Sequence, residues 1–186
     1  MWHKVKRCRS DSTNGVSSVA PPSADPVPHS SPPADVQLFR AHSGTLWATV
    51  RDDLRRGQSN WSAVVETNIP NDNSNLNAGV LPDGKGVFLL SNAAPAKIRD
   101  PLTISLSKDG YNFSKCLVVQ TCMDMAGGES TCKARQARNG NVGPSYPQGL
   151  SVVAPAPEAM QGLYVVATNN KEDVVLTRVP WDSLTV

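Results

Sequence analysis

The chain is short of aromatic residues, of net charge and of long apolar runs. Phe, Trp and Tyr make up 5% of its 186 residues, and hydrophobic residues of all kinds make up 39%. The second figure is low for a packed globular chain and predicts that part of the sequence stays outside a core. The formal net charge is +2. No global field draws the chain to nucleic acid or to an anionic membrane surface, and neither is expected as a partner. No apolar stretch is long enough to cross a bilayer, so no membrane span is expected. The first ten residues, MWHKVKRCRS, are basic and lack the apolar core of a secretory signal. They read as a tail, and the sequence leaves the compartment unknown.

Metal-ligating residues are also scarce. His3, His29 and His42 are the three histidines, all in or beside the N-terminal stretch, and none is given a catalytic role. Of the four cysteines, Cys8 lies in the tail, and Cys116, Cys122 and Cys132 form no CxxC pair and have no nearby histidine. That spacing argues against a zinc site, and no metal or other cofactor is expected. Two readings of the cysteines stay open: free buried thiols, or a Cys122–Cys132 bridge across a loop in an oxidising compartment. Two sequons, Asn60-Trp61-Ser62 and Asn112-Phe113-Ser114, carry meaning only if the chain is secreted.

Turn chemistry is what the sequence has in plenty. Residues 17–35 read SSVAPPSADPVPHSSPPAD. Apolar burial cannot offset the entropy of ordering such a stretch, so residues 1–35 are expected to be disordered. The folded part, residues 36–186, is punctuated like an all-β protein. The runs TLWATV, VFLLSN, PLTISLS, SKCLVVQ, GLSVVA, GLYVVAT and EDVVLTRVP are separated by turn residues such as Pro82-Asp83-Gly84 and Asn169-Asn170-Lys171. No segment keeps a helical period with caps. The stretch from Met123 to Pro144 reads as a long polar loop. Short strands with regular turns point to a sandwich, a barrel or a propeller, and their grouping leans toward a propeller.

The stretch SLSKDGYNF, Ser105 to Phe113, resembles the Asp-box hairpin of sialidases (neuraminidases) and their relatives. In that motif Ser and Asp side chains bond backbone groups inside the turn and an aromatic packs beneath it. This copy is one residue shorter between Asp109 and the aromatic, and Phe113 stands where the motif has Trp. RRGQSNWS, near Trp61, resembles a second copy that keeps the Trp and lacks the Asp. The order of flanking motifs is similar to the C-terminal half of the sialidase family: IPNDNSNLNAGVLPDGKGVFLLSN, then Arg99, then the Asp-box strand, then SYPQGL with Tyr146. Upstream, SGTLWATVRDD resembles the strand that carries another family arginine, here Arg51. The resemblance implies a partial β-propeller over residues 36–186, about half of a six-bladed ring.

It also implies a chemistry. A sialidase cleaves a sugar that carries a carboxylate beside its anomeric carbon, and arginines grip that carboxylate bidentately. The nucleophile is a tyrosine activated by a neighbouring base, usually Glu. By resemblance, Tyr146 is the catalytic candidate, and Arg99 and Arg51 are the substrate-binding candidates. Arg51 lies in the charge run RDDLRR, which also reads as a solvated face. Neither Glu66 nor Glu172 sits where the base belongs: the first falls on another strand and the second in an outer turn. The residues of the N-terminal blades, including the acid Asp, have no counterpart here. The implied function is an exo-α-sialidase-type glycoside hydrolase in incomplete or inactive form. The alternative is a non-catalytic module that binds glycans or proteins, so whether the chain is an enzyme is left open. The implied partner is a carbohydrate, sialylated or otherwise acidic. Self-association is expected, because an open half-ring exposes sheet faces and edges.

Overall fold

The sequence VFLL shows how this fold is organised. Four consecutive apolar residues do not alternate, so a strand made of them needs a core on both faces. In the computed structural model, which describes residues 6–7, 35–51, 61–71, 73–93, 99–110, 112–122, 143–171 and 173–186, that strand lies between two hydrophobic clusters. Phe88 and Leu90 point into one cluster and Leu89 into the other.

The described residues form eleven strands and no α-helix. They are β1 (Lys6–Arg7), β2 (Asp35–Arg40), β3 (Thr45–Arg51), β4 (Val65–Pro70), β5 (Asn77–Val80), β6 (Val87–Ser91), β7 (Leu102–Ser107), β8 (Phe113–Gln120), β9 (Pro144–Val152), β10 (Gly162–Asn169) and β11 (Asp173–Val179). They build three antiparallel sheets, in the orders β2-β3-β4, β1-β8-β7-β6-β5 and β11-β10-β9. The fold is all-β and compatible with part of a propeller, as expected.

The five-stranded sheet is the middle layer. Leu102, Ile104 and Leu106 of β7 join Phe88 and Leu90 against Leu163, Val165 and Ala167 of β10. On the opposite side, Leu89 packs with Leu46 of β3, Ile69 of β4 and Phe113 of β8. The C-terminal segment returns to the middle sheet. Leu184 enters the larger cluster, and Lys115 Nζ donates to the carbonyls of Thr185 at 2.9 Å and Ser183 at 3.3 Å.

The turns form where the sequence places them. In LPDGKG, Gly84 takes φ +67°, its N–H donates to Leu81 O at 2.9 Å, and Lys85 N–H donates to Asp83 Oδ1 at 3.0 Å. The β7–β8 turn is held by its own side chains in the Asp-box manner. Ser107 Oγ accepts from Gly110 N–H at 2.8 Å and donates to Asp109 Oδ1 at 2.9 Å. The same Asp109 oxygen accepts from Asn112 N–H at 2.8 Å. Gly110 has φ +82°, and a Cβ there would meet Val36 at 2.7 Å, so only glycine fits. Phe113 is buried beneath the turn.

Three features differ from the sequence reading or fall outside it. Lys6 and Arg7, within the stretch expected to be disordered, pair with Val118 and Leu117 on the edge of β8; residues 8–34 lie outside the described residues. The expected polar loop also lies outside them up to residue 142, and Pro144 already opens β9. The free-thiol reading is corrected: Cys116 and Cys122 are both disulfide-bonded, to partners outside the described residues. Cysteine spacing alone could not show this, because the bridges depend on which strands are neighbours.

Candidate functional site

Pro147 cannot donate to a sheet ladder, so the strand that contains it must break register there. In β9 it does. Ser145 pairs with Thr168 and Gln148 with Val166, which leaves Tyr146 and Pro147 opposite the single Ala167. This is a β-bulge, a device that bends a strand and re-aims a side chain. Tyr146 takes φ +55°, a left-handed conformation that non-glycine residues seldom adopt. Its ring is thrown outward and is 43% exposed.

Arg99 reaches the ring from the segment before β7. Its backbone is fixed by Asn92, which is fully buried just after β6. Asn92 Nδ2 donates to Arg99 O at 2.9 Å, Pro144 O at 2.9 Å and Pro101 O at 3.2 Å. One amide thus ties together the end of β6, the approach to β7 and the start of β9. Gly143 permits the contact: a Cβ there would lie 2.5 Å from Arg99 O. Gly143 is held in turn by Asn170, whose Oδ1 accepts from Gly143 N–H at 2.8 Å and whose N–H donates to Gly143 O at 3.1 Å.

Asn170 and Lys171 form the β10–β11 turn with φ +53° and +61°. Two successive left-handed residues suit a tight hairpin, and here they carry Lys171 to Tyr146. Arg99 Cζ lies 5.1 Å from the Tyr146 ring centroid, and Lys171 Nζ lies 5.6 Å from it. The phenol's pKa is lowered from the ordinary value. Hydrogen bonding from the Arg99 side chain is the largest cause, then the Arg99 charge, with Lys171 adding its own.

The nearby carboxylate is already engaged: Asp100 Oδ1 accepts from Cys122 N–H at 3.0 Å. Arg99 Nε and Nη1 are buried and have no hydrogen-bond partner among the described residues. The result is a patch of two cations around one exposed phenol. Such a patch can hold an anion, and a planar guanidinium favours a carboxylate or phosphate. Among the described residues, no cluster of His, Cys, Asp or Glu is arranged to hold a metal ion.

Of the residues singled out by sequence, the structure brings Arg99 and Tyr146 together. Arg51 is placed elsewhere, on β3 in the first sheet. Its Nε donates to Asp35 Oδ2 at 3.0 Å, its Nη2 bonds the same oxygen, and its Cζ lies 5.2 Å from the Trp61 ring centroid. Glu66 is in that sheet too, bonded by the Thr45 hydroxyl. Glu172 lies outside the described residues. Asn92, Gly143 and Lys171 were not singled out by sequence. Their signals were an Asn ending an apolar strand, a Gly-Pro before a strand, and the Asn-Asn-Lys turn.

A self-bonded Asp-box turn and three antiparallel sheets are compatible with part of a β-propeller. The chain belongs to the family of the BNR repeat-like domain, whose model matches residues 26–153. The family is found in sialidase-like β-propellers. Arg99 and Tyr146 fall within the matched residues, and Lys171 falls beyond them. No curated protein and no solved structure matches the chain.

Proposed function

We propose that this chain is a sialidase-like module that recognises an acidic sugar by its carboxylate, with Arg99 as the clamp and Tyr146 beside the anomeric centre. The observation that carries the reading is the setting of Tyr146. Arg99 and Lys171 converge on the exposed ring, and two cations at one exposed phenol suit a carboxylate. Tyr146 suits the role of nucleophile because its neighbours favour the phenolate. In a hydrolysis, the phenolate oxygen would bond the anomeric carbon as the glycosidic C–O bond breaks and an acid protonates the leaving oxygen; water would then bond that carbon, lose a proton and release the tyrosine. Arg51, bonded to Asp35, is assigned no part in this site.

A second reading is a glycan-binding module without catalysis. It is favoured because no carboxylate of the described residues is hydrogen-bonded to Tyr146, so the base that the nucleophile needs has no representative there.

Calorimetry with sialyllactose and with lactose tests the recognition. Sialyllactose should bind and lactose should not, and Arg99→Met should weaken binding at least about tenfold, in line with the loss of a charge-assisted pair. Equal binding of both sugars, or of neither, overturns the reading. Incubation with a fluorogenic sialoside then separates enzyme from binder. Turnover that disappears in Tyr146→Phe supports the hydrolase, and binding without turnover supports the module.

A further inference from the structure

The Asp-box turn presents one feature that recognition of an acidic sugar does not use. Its last polar residue opens the sequon Asn112-Phe113-Ser114. Such triplets matter only in chains that enter a glycosylating, oxidising compartment and only where the Asn is reachable. The structure supplies observations on both counts. Cys116 and Cys122, downstream of the turn, are disulfide-bonded, which is the state of chains matured outside the reducing cytosol. Asn112 and Ser114 are both exposed, while Phe113 between them is buried.

We propose that Asn112 is an N-glycan acceptor. In the transfer, Asn112 Nδ2 loses one proton and bonds the anomeric carbon of a lipid-diphosphate-linked oligosaccharide. The C–O bond between that carbon and the diphosphate breaks, and the lipid diphosphate leaves. The Ser114 hydroxyl supplies the third position that the acceptor triplet requires.

The folded turn accommodates the product. Asn112 Nδ2 carries two hydrogens and donates one to Asp109 Oδ2 at 3.1 Å. The substituted amide keeps one N–H, so that bond survives. The Asn112 backbone N–H stays on Asp109 Oδ1 at 2.8 Å. Phe113 is fastened on both sides by Asn68, whose Oδ1 accepts from Phe113 N–H at 3.0 Å and whose Nδ2 donates to Phe113 O at 3.2 Å. The anchor keeps the middle residue inward and its neighbours outward, so the sugar extends into solvent without displacing the core. The other sequon begins at Asn60, outside the described residues, and plays no part in the proposal.

Translation of the full chain behind a secretion leader, into microsomes that carry the transferase, tests it. The expected result is a slower band that collapses on treatment with an asparagine-glycan amidase. Peptide mass spectrometry should place the modification at Asn112. Asn112→Gln and Ser114→Ala should lose it, Ser114→Thr should keep it, and Asn60→Gln should leave it in place. The readout does not require the variants to fold. An Asn112 peptide recovered unmodified, while a control acceptor in the same microsomes is glycosylated, overturns the proposal.

Discussion

The Arg99 guanidinium carbon and the Tyr146 ring centroid are 5.1 Å apart, although Arg99 lies in the segment before β7 and Tyr146 lies in β9 of another sheet. Lys171 lies 5.6 Å from the same ring. The phenol therefore ionises below the ordinary value of 10.0. Its folded pKa is depressed, so any stability gained from the phenolate is present at high pH and is lost as pH falls through the lowered pKa. The difference in ultraviolet titration between the wild type and Tyr146→Phe isolates this group. It should ionise below pH 10.0, and Arg99→Met should move its transition upward. An unchanged transition in Arg99→Met would show that the two side chains are not coupled.

Gly143→Ala should damage the site through the backbone. The added Cβ meets Arg99 O at 2.5 Å, and the residue must keep φ +119°. The expected cost is about 1–3 kcal/mol, measured by chemical denaturation, together with weaker sialyllactose binding. Full stability and full affinity in this variant would contradict the described packing.

Asp109→Ala should separate scaffold from site. It leaves the Ser107 hydroxyl and the Asn112 backbone N–H without their acceptor. A loss of about 1–3 kcal/mol is expected, with the slope of the denaturant transition unchanged. Sugar binding by the folded fraction should stay at the wild-type level.

Leu89→Ala and Leu90→Ala alter neighbouring residues that serve different clusters. Each should cost about 2–5 kcal/mol. Because one strand belongs to both clusters, each variant should still unfold in a single transition. Two resolved transitions in calorimetry would mean that the layers are independent.

The third sheet leaves an apolar outer face. Leu150, Val166, Val174 and Leu176 are exposed there, while Leu163, Val165 and Ala167 face the core. Faces of this kind favour association, and a second copy of the chain is the expected occupant. Light scattering should show a concentration-dependent rise in mass that Leu176→Lys suppresses. A monodisperse monomer at high concentration would count against it.

Strands β3 and β6 to β11 were legible because turn residues in this chain occupy fixed positions, whereas β1, β2, β4 and β5 were not marked. Gly84 and Gly110 have positive φ, as their places in LPDGKG and SKDGYNF require. The pairing of Arg99 with Tyr146 entered through the order of motifs, since nothing local to either residue points to the other. Lys171 escaped because its role comes from a hairpin turn that lands beside a bulge on another strand. Arg51 shows the converse. A family resemblance suggested a ligand clamp, whereas its charge run read as a solvated face; its cross-strand neighbour in the register is Asp35, which takes its guanidinium. A disulfide at Cys122 was one of the two open readings of the cysteines, whereas the bonding of Cys116 was not foreseen.

Asn92 gives the site a property beyond geometry. Its one amide is bonded to carbonyls from segments that begin 7 and 52 residues further along the chain. A cut between residues 122 and 143 therefore separates Arg99 from Tyr146 and Lys171, and the patch needs both pieces. Under the proposed function, sugar binding would report their reassembly. Two pieces cut between residues 122 and 143 should be silent apart and should recover the signal when mixed.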